Sequence, residues 1–113
     1  MTDSVLTYRD CYEECKALAL EIIEDNQDEC ETLEDFMDKA HDYIDGHEWV
    51  IYYYRAHQFL LAVHSDIRAE AEDLFQDTCC EAESYDHYAT LLTYWGLTIW
   101  VSNFIEESLK EAA

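Results

Sequence analysis

The chain has 113 residues, half of them hydrophobic, with 27 Asp and Glu against six Lys and Arg and a formal net charge of −21. One domain of this size with 14% aromatic residues can bury a core, which excludes an acidic disordered tail. So few cations exclude direct binding to nucleic acid or to an anionic membrane, and no apolar run approaches the roughly 20 residues of a membrane-spanning helix.

There is no proline, and the only glycines are Gly46 and Gly96. A β-rich fold needs more turn residues than that. The expectation is an all-α fold, a single acidic domain over 1–113. It is a compact bundle of about five helices with a central apolar helix and a long C-terminal helix. Asp3, Asp10, Glu13 and Glu14 interrupt the first twenty residues, so no signal peptide is expected and the chain reads as cytoplasmic.

The first helix is expected from Thr7, with Thr7 and Asp10 as an acidic capping box. Tyr8, Cys11, Tyr12, Cys15, Leu18, Ala19, Ile22 and Ile23 recur at helical spacing, whereas Asp10, Glu14, Glu21 and Glu24 fall on other sides. Asn26 to Glu31 reads as a loop. Thr32 caps the second helix, whose stripe of Leu33, Phe36, Met37, Ala40 and Ile44 is matched by Asp35, Asp38, Asp42 and Asp45 on another face. Gly46 stands at its end, the usual place for glycine.

Trp49 to Val63 is apolar nearly all round, which belongs in the middle of a bundle. Val50 to Tyr54 has the composition of a short strand, but no second strand candidate exists to pair with it, so a helix is expected. Ser65 or Asp66 opens a short helix with Ile67, Ala71, Leu74 and Phe75 on one side and Asp66, Glu70, Asp73 and Asp77 on the other. Thr78 to Ser84 is a break. The last helix, about Tyr85 to Lys110, is aromatic and carries no acid between Asp86 and Glu106, so it needs cover from the core or from a second copy of the chain.

The three acidic stripes are the clearest functional signal. Carboxylates three and four residues apart on a helix stand about 5–10 Å apart. At one charge per ~1.7 Å of B-DNA axis, the net charge of this chain matches about 36 Å of duplex. Three explanations are open: a partner with a basic groove, a high-salt habitat, and incidental drift. Five cysteines and a large aromatic core fit the second less well.

A metal or catalytic site has less support. His41, His47, His57, His64 and His87 are scattered among carboxylates, but no E-x-x-H pair of a di-iron bundle occurs. A calcium loop opening at Asp25 would have Cys30 where glycine is required and Phe36 where glutamate is required. Cys11, Cys15, Cys30, Cys79 and Cys80 form no C-x-x-C pair and read as reduced thiols. The vicinal Cys79 and Cys80 are blunted as nucleophiles by Asp77 and Glu81. No cofactor, metal or enzymatic activity is expected.

An early Thr7-Tyr8, acidic amphipathic helices, a Tyr-rich middle and a late helix from Tyr88-x-x-Leu91 to Trp95 followed by acidic residues resemble the small acidic DNA mimics of bacteriophages. The T7-type "overcome classical restriction" proteins are the family meant. The segment Asp45-Gly46-His47-Glu48-Trp49-Val50-Ile51-Tyr52 is also similar to segments of short phage and mobile-element proteins. The chain departs from that family in its cysteines and in lacking a densely acidic C-terminal tail.

The resemblance implies an inhibitor that fills the basic DNA-binding groove of a host defence complex, of the restriction-modification or CRISPR kind, in the host cytoplasm. The twelve stripe carboxylates would contact that partner, and a homodimer would lengthen the charge array. The alternative is a non-enzymatic acidic adaptor or oligomerisation module that binds a protein through the aromatic C-terminal helix.

Overall fold

The computed structural model describes residues 6–63, 65–77 and 83–112. These form α1 (Tyr8–Asn26), α2 (Leu33–Asp45), α3 (Glu48–Ile51), α4 (Tyr53–Ala62), α5 (Ser65–Asp77) and α6 (Tyr85–Ala112), with no strand among the described residues. The all-α architecture and the long last helix are as the sequence predicts.

Both N-caps form as expected. The Asp10 N–H donates to the Thr7 hydroxyl and the Thr7 N–H donates back to the Asp10 carboxylate, each at 3.1 Å. Thr32 and Asp35 repeat the exchange at 3.2 and 3.4 Å. Each box satisfies donors that the first helical turn leaves without intrahelical partners. Gly46 does end α2, its N–H donating to the Asp42 carbonyl at 3.3 Å. Its φ of −92° is open to any residue, so the stop does not depend on a left-handed glycine.

The segment expected as one helix over Trp49–Val63 is two, which raises the helix count to six. Tyr52 sits at φ −101°, ψ 113°, and is at once the C-cap of α3 and the N-cap of α4. Its N–H closes α3 on the Glu48 carbonyl, while its own carbonyl accepts from Arg55 and Ala56. The strand-like run thus yields a single extended residue, for want of an edge to pair with.

The middle of the bundle is held by α6, which packs against each of the other five helices. Ala89, Leu92, Leu97, Trp100, Val101 and Ile105 are buried along it. Burying a large aliphatic or aromatic side chain is worth about 1.5–3 kcal/mol. Helix α4 turns Ala56, Phe59 and Leu60 inward but leaves Tyr54 and Leu61 exposed, so it is not covered on every side. Ten residues beside a 28-residue neighbour can bury one face only.

Gly96 lets α6 lie close against α4: a Cβ there would lie 3.0 Å from the Phe59 ring. Phe59 is wedged between Trp49 and Trp100, at ring-centroid distances of 5.6 and 6.5 Å. Buried Thr93 donates its hydroxyl to the Ala89 carbonyl at 2.8 Å and lies 3.3 Å from the Ala56 carbonyl. Among the described residues no buried side-chain nitrogen or oxygen lacks a partner.

Candidate functional site

Burial of one face of each amphipathic helix decides where the carboxylates go. With Cys11, Cys15, Ala19 and Ile22 inward, α1 turns Asp10, Glu14, Glu21 and Glu24 to solvent. Phe36, Ala40 and Ile44 do the same in α2 for Asp35, Asp38, Asp42 and Asp45. In α5, buried Ala71 leaves Asp66, Glu70, Asp73 and Asp77 exposed. Every described Asp and Glu is exposed except Glu72, which is partly buried.

The stripes do not form one continuous sheet of charge. Helices α1 and α2 pack side by side, whereas α5 packs on α6. A shallow groove of about 400 Å³ lies between α2 and α5, with Met37 and His41 on one bank, Glu70 and Leu74 on the other, and Trp95 and Ile99 in its floor. The molecule measures 41 × 38 × 24 Å. A duplex 41 Å long carries about 24 phosphate charges at one per ~1.7 Å, close to the net charge here.

Several stripe carboxylates are held in place by bonds that spacing alone does not reveal. Asp35 accepts from the backbone N–H of Glu31 and of Thr32, and those bonds hold its carboxyl below the usual range. Glu14 is 2.8 Å from His47 Nε2, and that hydrogen bond outweighs partial burial to lower its pKa. The His47 Nδ1 accepts the Trp49 N–H at 3.1 Å, so the ring is the tautomer that carries its proton on Nε2 and donates to Glu14. Tyr43 donates to Asp25 at 2.9 Å, which raises the phenol's pKa. Burial raises Tyr94, and the nearby charges of Asp45 and Asp42 raise it further.

The cations do little to offset this field. Arg9 lies 4.0 Å from Glu13, Lys39 3.4 Å from Glu29 and Arg68 3.5 Å from Glu72, and none of these side chains is buried. Exposed pairs of this kind contribute about 0–1 kcal/mol.

Acids also stand where a helix disfavours them. The last turns of α1, α2 and α5 hold no basic residue. Glu24 and Asp25, Asp42 and Asp45, and Asp77 occupy those turns instead. The C-terminal end of a helix carries partial negative charge, and a carboxylate there costs up to about 0.3–1 kcal/mol.

His41 Nδ1 is 2.7 Å from the Tyr94 hydroxyl, His57 Nε2 is 2.9 Å from Asp86, and His87 Nδ1 accepts the Glu83 N–H at 3.0 Å. His64 lies outside the described residues. Among the described residues no three His, Cys, Asp or Glu side chains stand together as a metal site. Cys11, Cys15 and Cys30 are free thiols and buried. Burial, with Asp10 adding to it, pushes Cys11 up to about 12, which leaves it inert as a nucleophile. The Cys79–Cys80 pair lies outside the described residues. No described helix is long and apolar enough to cross a membrane.

Family models, curated proteins and solved structures give no match to this chain.

Proposed function

We propose that this chain is a non-enzymatic inhibitor that occupies the basic DNA-binding groove of a host defence protein, of the restriction-modification or CRISPR kind, in the host cytoplasm. The observation that carries the reading is the placing of carboxylates at the C-terminal ends of α1, α2 and α5. Acids there work against both the helix ends and the compact state, so stability does not account for them. A basic groove does, because each carboxylate then meets a cation and releases counterions, as a phosphate would. The packed helices hold the array before binding, which spares the ordering cost a disordered acidic tail would meet.

The adaptor reading has less behind it. Trp100, Leu97 and Ile105 of α6 are buried under the surrounding helices and leave little of that helix for a partner.

The test is capture from a bacterial lysate with the tagged chain at low salt, eluted by a salt gradient. A DNA-binding defence complex released sharply with salt supports the proposal. Capture of salt-resistant partners alone contradicts it. The structure also selects the variants: Asp38, Asp42 and Asp45 are changed to Asn together, while Asp35 is kept because it caps α2.

A further inference from the structure

One surface departs from the rest in charge. From Trp49 to Ser65 the chain contains no Asp or Glu, and within this stretch α4 exposes Tyr54 and Leu61 and leaves Arg55, His57 and Gln58 partly exposed. Tyr54, His57, Gln58 and Leu61 fall at i, i+3, i+4 and i+7, one face of a helix. Leu61 is 82% exposed.

Tyr52 and Tyr53 widen this face, their ring centroids 6.0 and 6.5 Å from that of Tyr54. Tyr85, 69% exposed, extends it on the other side, 5.2 Å from the His57 ring. With a tyrosine side chain covering about 150–250 Å², these residues expose roughly 600 Å² before any rim is counted. That is at the upper end for a patch on a monomer, and it approaches the ~800 Å² per partner of a standard interface.

We infer that this face pairs with the same face of a second copy of the chain, α4 against α4 about a two-fold axis. Charge selects the occupant. Two molecules at −21 repel wherever their acidic helices meet, and the acid-free face is where they can come into contact. A cationic partner is drawn to the carboxylates instead. A two-fold interface needs one self-complementary patch; this one is mainly aromatic, and the cation on it, Arg55, lies over the Tyr54 ring and donates to the Gln58 side chain at 2.9 Å. Asp86, beside Tyr85 in the sequence, is paired with His57 at 2.9 Å. The inference goes beyond the proposed function and does not depend on it, because it concerns the chain alone.

Analytical ultracentrifugation of the purified chain over a concentration series, at low and high NaCl, reads the outcome. The expected result is a dimer that tightens as salt is added, since salt screens the repulsion and leaves the apolar contact. Leu61→Glu, and separately Tyr53→Lys, should raise the dimer dissociation constant on the order of a hundredfold by burying charge at the contact. Both positions are exposed, so the helical circular dichroism of the variants should match that of the parent. Leu20→Glu, on exposed α1 surface, should leave the dimer intact. A monomer at every concentration and salt, a dimer that loosens with salt, or one broken by Leu20→Glu but not by Leu61→Glu overturns the inference.

Discussion

At the scale of single residues, the acidic surface is partly built into the fold. Thr32 and Asp35 satisfy the first turn of α2 between them. Thr32→Ala should cost about 1 kcal/mol in urea unfolding. The Asp35 carboxyl is held low by its backbone donors, so its contribution is present above the unfolded pKa of an aspartate and is lost as pH falls through the folded value. In a carbon-detected NMR titration Asp35 should therefore titrate below the usual aspartate range, and closer to it in Thr32→Ala, which removes the Thr32 hydroxyl. The capping boxes were legible because Thr and Asp stand three residues apart before an apolar stripe. The pairing of Glu14 with His47 was not, because it joins residues 33 apart whose meeting depends on how α1 and α2 pack, which carries the α2–α3 junction to Glu14.

At the scale of helices, periodicity located α1, α2, α5 and α6, and the acidic faces of the first three, since one buried stripe leaves the other face to solvent. It did not reveal the break at Tyr52 or the exposed side of α4. Both follow from competition for the centre, which α6 wins by being longer and free of acid through its middle. The closeness of that packing gives a prediction. Gly96→Ala removes a helix-weakening glycine, a gain of about 1 kcal/mol. It also drives a methyl against a Phe59 ring that Trp49 and Trp100 keep from yielding. The net effect should be destabilising by about 1–2 kcal/mol in urea unfolding. At the helix ends the sign reverses: Asp45→Lys should stabilise the fold by about 0.5–1 kcal/mol. The same change should weaken inhibition of the captured target, so gain of stability with loss of function is the expected signature.

At the scale of the whole molecule, a net charge of −21 on a frame 41 Å long works against folding and toward a basic partner. Adding NaCl should raise the melting temperature, because screening relieves self-repulsion more than it weakens the few exposed ion pairs. The fold class was legible in the sequence, and so was the sign of the surface. The groove the surface fits was not, since its shape belongs to the partner. The central claim is that the carboxylates stand in for phosphates. Its most direct measurement is displacement of a fluorescent duplex from the captured DNA-binding complex, titrated with the parent chain and with the Asp38→Asn, Asp42→Asn, Asp45→Asn variant at several salt concentrations. The account predicts full displacement by the parent, an apparent affinity that falls steeply with salt, and a shallower salt dependence with at least tenfold weaker displacement for the variant, on the order of three lost charge contacts. A parent chain that binds the complex while leaving the duplex in place, or a variant as potent as the parent, would contradict it.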